Sequence, residues 1–116
     1  MSELDPFVPA HKIASSEMSH IRMIEMAMKL GKPLILSTGG YFLRDIKRVI
    51  DMLGDHPTVV MHCNIAYPAK LTDALKFKEL QAMVKGPLGY SDHTYSIDAV
   101  PLLYRDSVTV YEKHFN

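Results

Sequence analysis

Lys32-Pro-Leu-Ile-Leu-Ser-Thr-Gly-Gly-Tyr-Phe-Leu-Arg-Asp-Ile-Lys-Arg-Val-Ile-Asp-Met-Leu-Gly54 runs on into Asp55-His-Pro-Thr-Val-Val-Met-His-Cys63, and these two stretches hold one complete strand, helix and strand. Leu34, Ile35 and Leu36 are apolar without alternation, as are Val59, Val60 and Met61. Such runs suit parallel strands covered on both faces, whereas a one-sided antiparallel strand alternates. Between them Phe42, Ile46, Val49, Ile50 and Leu53 recur at helical spacing, with Lys47, Arg48 and Asp51 largely off that face and Gly54 just past the end. Parallel neighbours need a crossover of this kind, so the stretch reads as a repeating βα unit.

The same scheme extends in both directions. Strands are expected at residues 11–15, 33–37, 58–63, 88–91 and 108–112, and helices at 18–30, 42–53, 72–84 and 97–104, the last interrupted by Pro101. Gly31 before Lys32 and Pro33 stops the first helix, and Gly86 with Pro87 follows the third. Strands alternating with helices define an α/β chain with one domain over 1–116. Periodicity alone leaves open whether five such strands make an open doubly wound sheet or part of an eight-unit barrel.

Composition narrows the function. The 13 basic and 13 acidic side chains cancel, so no long-range positive field favours nucleic acid or an anionic membrane, and a small-molecule ligand is the better expectation. Cys63 is the only cysteine, which excludes an intramolecular disulfide and makes the cytoplasm the default compartment. Residues 1–10 carry Glu3 and Asp5 without the basic flank and apolar core of a signal peptide, and no apolar run reaches membrane-spanning length.

Ligands of parallel α/β proteins gather beyond the carboxyl ends of the strands. Those ends are unusually polar here: Lys12, Ser15, Ser16 and Glu17; Ser37, Thr38, Gly39 and Gly40; His62, Cys63 and Asn64; Ser91, Asp92, His93 and Thr94; Glu112, Lys113 and His114. Each has an ordinary explanation by itself, as a surface lysine, a helix-entry turn or a loop histidine. Five strands delivering such groups to one rim suggest a single site. His62 and Cys63 read as strand-end packing, His11, His20 and His56 as surface residues, and the eight methionines as core filler.

Lys12-Ile-Ala-Ser-Ser-Glu17, Lys32-Pro-Leu-Ile-Leu-Ser-Thr-Gly39, His62-Cys63 with Tyr67-Pro68, Gly89-Tyr-Ser-Asp-His-Thr94 and Glu112-Lys-His-Phe115 resemble, in order and spacing, the strand-end motifs of the sialic acid synthase (N-acetylneuraminate synthase) family. The resemblance implies a partial (β/α)8 TIM barrel: the last five units, without the first three and without the family's C-terminal antifreeze-like domain. It implies an enzyme that condenses phosphoenolpyruvate with N-acetylmannosamine or a related N-acetylated aldose, using a divalent metal, Mn2+ or Mg2+. On the family pattern Lys12, Ser15, Ser37 and Ser91 hold the phosphate, with Asn64 a further substrate contact. Glu17 and Tyr67 lie beside the sugar, Glu112 orients it, and His93 and His114 bind the metal. A lysine and hydroxyl donors suit a multiply charged anion, and two imidazoles leave most metal positions to water and substrate oxygens.

The sequence departs from that pattern in places. Ile65 stands two after Cys63, where the family tends to have a polar residue, with Asn64 one step early; Pro101, Tyr104, Arg105, Asp106 and Ser107 replace a small-residue helix. In the family the first three units supply a catalytic glutamate and another phosphate-binding lysine. Five units alone leave strand edges near Lys12 and Val110 and an inner face expected to meet water, so a complementing chain or a homo-oligomer is the expected partner. Three readings remain: a synthase fragment active with the missing units, a non-catalytic phosphate and metal-binding module, or a truncated frame that does not fold.

Overall fold

The computed structural model describes residues 3–66, 74–95 and 108–114. Its five strands are β1 His11–Ile13, β2 Leu34–Ser37, β3 Thr58–Cys63, β4 Leu88–Asp92 and β5 Val110–Lys113. They form one sheet in chain order, and every neighbouring pair is parallel. The helices are α1 Ile21–Lys29, α2 Leu43–Leu53 and α3 Ala74–Met83. The expected helix at 97–104 lies outside the described residues. β1 ends two residues earlier than expected, because Ser15–Glu17 forms a single helical turn.

A strand order that follows the chain carries each same-handed crossover to the same side of the sheet, and strand twist curls the sheet the other way. The result is a curled half-barrel. On the outer, helix-facing side, Leu34, Leu36, Val60, Leu88 and Tyr90 pack against Ile24, Ala27, Ile46, Val49, Leu53, Phe77 and Leu80 in one core. Fully burying a side chain of this size contributes about 1.5–3 kcal/mol, and the outer core is where most stabilisation resides. Gly31 and Gly54, at φ 76° and 55°, take the left-handed backbone that lets α1 and α2 stop and the chain turn into the next strand.

Alternation turns Lys12, Ile35, Ser37, Val59, Met61, Cys63, Gly89, Ser91, Val110 and Glu112 to the inner face. The expectation that this face is open to water is corrected for its centre: Ser37, Met61, Cys63 and Ser91 are each at most 3% exposed, while Lys12 and Glu112 at the two edges remain accessible. The curl brings inner side chains together, and Met61 lies where a β-carbon on Gly89 would stand. That β-carbon would collide with Met61 Sδ and sit 2.9 Å from the Val110 carbonyl oxygen.

His11 is also corrected, from a surface residue to a buried one. It shares the outward parity of Ile13, and the segment Asp5–Phe7 covers it: His11 Nε2 donates to Asp5 Oδ1 at 2.8 Å. Lys32 Nζ holds the same segment by donating to the carbonyls of Asp5 and Val8. His20 is exposed as expected, whereas His56 is half-buried, with Nδ1 3.3 Å from Thr58 Oγ1. Met18 and Met61 are core residues, but Met26 on α1 is exposed.

Gly89→Ala should lower stability by about 1–3 kcal/mol, the usual cost of overpacking, measurable by urea unfolding. Asp5 gives a second expectation. The hydrogen bond from His11, with Lys32 adding to it, holds the Asp5 carboxyl below its ordinary value of 3.8. A depressed folded-state value contributes stability that is complete above the unfolded value and is lost as pH falls through the folded one. The melting-temperature gap between the native chain and Asp5→Asn should therefore shrink as pH falls below about 4; an unchanged gap in acid would contradict the pairing.

Candidate anion and metal site at the strand ends

Parallel register places Ser91 of β4 opposite Glu112 of β5, both on the inner face. Ser91 Oγ donates to Glu112 Oε1 at 2.6 Å. Lys12 reaches the same carboxylate from β1, the opposite edge of the sheet, with Nζ 2.8 Å from Oε2 and 3.1 Å from Oε1. Residues 100 positions apart in the chain thus meet because the sheet curls. Burial opposes the charge on Glu112, but the hydrogen bonds from Lys12 and Ser91 outweigh it, and its carboxyl lies below the ordinary range.

His93 leaves the end of β4 beside this group. Its Nδ1 is 2.6 Å from the backbone carbonyl of Asn64, past the end of β3. A carbonyl only accepts, so Nδ1 donates its N–H to Asn64, and the second ring nitrogen, Nε2, lies 3.3 Å from Ser91 Oγ. The His114 ring stands edge-on to His93, with centroids 5.3 Å apart and planes at 79°. Two histidines expected to converge therefore do.

Among the described residues no group of three or more His, Cys, Asp or Glu side chains is placed to hold a metal ion. The donor set nevertheless fits an open divalent site. Metal-binding histidines characteristically give their second ring N–H to a carbonyl, which fixes the tautomer, and His93 does this with Asn64. His93 and His114 are the side chains that would hold such an ion.

Other expected residues divide. Ser37 is buried on the inner face at the end of β2, on the same rim but outside the chain of contacts above. Ser15 belongs to the helical turn after β1, and Glu17 Oε2 pairs with His20 Nδ1 at 2.9 Å near solvent. Asn64 contributes its carbonyl to His93, while its Oδ1 accepts the Ala66 N–H at 3.0 Å. Tyr67 lies outside the described residues. His62 packs edge-on to Phe77 at 5.8 Å and against Tyr90 at 5.6 Å, the strand-end packing expected of it.

The expectation that Asp92 and Lys113 join the rim is corrected. Alternating with Ser91 and Glu112, they turn to the outer side of the sheet. Asp92, 1% exposed, accepts hydrogen bonds from Lys113 Nζ at 2.6 Å, Tyr111 Oη at 2.7 Å and the Thr94 N–H at 2.8 Å. Lys113 Nζ also donates to the Thr94 carbonyl at 2.7 Å. Burial works against the Asp92 charge, yet these donors keep its carboxyl below the ordinary range. Burial and the Asp92 carboxylate together push the Tyr111 hydroxyl well above its usual value. The cluster ties β4 to β5 through residues that immediately precede His93 and His114 in the chain. Its signal in the sequence was parity: residues next to inward-facing Ser91 and Glu112 must face outward.

Fold and site together define the class: the curled half of a parallel (β/α) barrel, with lysine, hydroxyl, carboxylate and two imidazoles gathered at the carboxyl ends of its strands. The chain belongs to the NeuB family, whose profile matches residues 2–116. It is 33% identical over 115 residues to N,N'-diacetyllegionaminic acid synthase of Legionella pneumophila, covering 90% of this chain and 32% of that protein. An uncharacterized protein of Methanocaldococcus jannaschii is 36% identical over 113 residues, covering 93% of this chain and 34% of the relative. N-acetylneuraminic acid (sialic acid) synthetase from Leptospira borgpetersenii, solved in complex with citrate, superposes with a TM-score of 0.85 at 28% identity, covering 95% of this chain and 40% of that one. The chain spans about a third of the length of the curated relatives it matches. No helix among the described residues is long and apolar enough to cross a membrane.

Asp92→Ala should destabilise the fold by about 3 kcal/mol, because it strands a largely buried ammonium. Tyr111→Phe should cost about 1 kcal/mol, the worth of one hydrogen bond. Denaturant unfolding of both variants checks the ranking.

Proposed function

We propose that this chain provides the phosphate-anchoring and metal-holding half of an active site that makes a sialic-type nonulosonic acid from phosphoenolpyruvate and an N-acetylated aldose such as N-acetylmannosamine. The observation that carries the reading is the meeting of Lys12, Ser91, Glu112, His93 and His114 at one rim. Membership of a family that includes legionaminic and pseudaminic acid synthases supports it.

In this reading the Lys12 ammonium and the hydroxyls of Ser91, Ser37 and Ser15 bind the phosphate, since a cation and O–H donors match its oxygens. Asn64 is a further substrate contact, and its carbonyl holds the His93 ring through Nδ1. A Mn2+ or Mg2+ ion held by His93 and His114 supplies Lewis-acid polarisation of the sugar aldehyde when bound. Glu112, Glu17 and Tyr67 position the sugar hydroxyls. The enol carbon of phosphoenolpyruvate forms the new bond to the aldehyde carbon, water adds at the carbon bearing the phosphate, and phosphate leaves with that C–O bond. Residues supplied in the longer relatives would complete the pocket, so turnover requires a complementing segment, in the same polypeptide or another.

A second reading is a phosphate and metal-binding module without turnover. Phosphate release from phosphoenolpyruvate and N-acetylmannosamine separates the two. Release by this chain with the complementing barrel segment supports the first, and ligand binding without release in that mixture supports the second.

His93→Ala should abolish Mn2+ binding followed by electron paramagnetic resonance, and unchanged affinity would remove the metal assignment. Lys12→Ala should weaken phosphoenolpyruvate binding by roughly tenfold to a hundredfold in calorimetry, as expected for loss of a charge-assisted contact.

A further inference from the structure

Lys12 and Ser91, the two groups assigned to the phosphate, are both engaged by one carboxylate. Glu112 takes two contacts from the Lys12 ammonium, at 2.8 and 3.1 Å, and the single hydroxyl proton of Ser91, at 2.6 Å. An incoming phosphate needs those same donors. We infer that Glu112 is an internal occupant of the anion subsite, a latch between β1 and β5 that phosphate displaces, so that anion binding releases the carboxylate toward the sugar side. The inference rests on the phosphate role of Lys12 and Ser91.

The geometry suits exchange. The Lys12 and Glu112 side chains are 37% and 38% exposed, so a ligand can reach the pair and solvent screens it. Exposed ion pairs are weak, and a doubly charged anion with three terminal oxygens can replace one carboxylate on the same donors. Released from Lys12 and Ser91, Glu112 remains on β5 two residues before His114, on the rim where the sugar is proposed to lie. The latch thus couples the two substrates: phosphate first, then a carboxylate ready for the aldose.

A ligand that must displace an internal competitor binds with its affinity reduced by the fraction of molecules open to it. Inorganic phosphate, titrated by calorimetry in metal-free buffer, should therefore bind Glu112→Gln at least about fivefold more tightly than the native chain. Glu112→Asp separates the latch from simple charge repulsion, because it keeps the negative charge but shortens the reach to Lys12; it too should bind phosphate more tightly. In the native chain, the 13C carboxyl resonance of Glu112 should shift with the same midpoint as phosphate binding. Phosphoenolpyruvate should reproduce these rankings if the subsite serves the substrate's phosphate group. Phosphate binding that is unchanged or weaker in both variants, with the native chain still binding, overturns the latch and leaves the phosphate assignment standing. Absence of phosphate binding in all three proteins overturns both. Melting curves of each variant confirm that the fold is intact before the titrations are compared.

Discussion

The parallel register of β4 against β5 is the constraint on which the site depends. It sets Ser91 beside Glu112 on the inner face and Asp92 beside Lys113 on the outer one, so one pairing creates both the candidate chemistry and its support. β4 is buried along its whole length, Leu88–Asp92. A buried strand with polar residues on both faces is tolerable only where each finds partners, since an unpaired buried polar group costs several kcal/mol. Ser91 finds Glu112, and Asp92 finds Lys113, Tyr111 and the Thr94 N–H.

Curl is the second constraint, and it links the sheet's two edges. β1 and β5 each pair with a single strand, yet Lys12 and Glu112 touch across the inner face. Met61 fills the inner space above Gly89, so the concave side is a partly packed surface rather than an open trough. The apolar layer beneath α1, α2 and α3 supplies the rigidity that holds these polar ends in position. The ends themselves remain partly exposed, where a ligand can enter.

Much of the fold was legible because apolar periodicity reports local conformation. The runs at Leu34 and Val59, the helical face from Ile46 to Leu53, and the glycine stops at Gly31 and Gly54 all correspond to elements of the structure, whereas Phe42, expected on that face, precedes α2 and is exposed. The strand-end motifs likewise carried the family relationship and the meeting of His93 with His114. The face each polar residue takes was less legible where Asp92 and Lys113 sit next to chemically similar rim residues. Alternation assigns them outward, and His11, one residue before Lys12, takes the outer side for the same reason.

The sequence by itself determined the α/β class, the βα repeat, the kinship and which residue types stand at the strand ends, because these depend on local spacing and on motif order. Tertiary structure alone decided that Lys12 meets Glu112, that Asn64 offers a carbonyl to His93, and that Asp92 is a buried clamp. Those contacts join residues 19 to 100 positions apart, and only the curl and register of the folded sheet determine their distances.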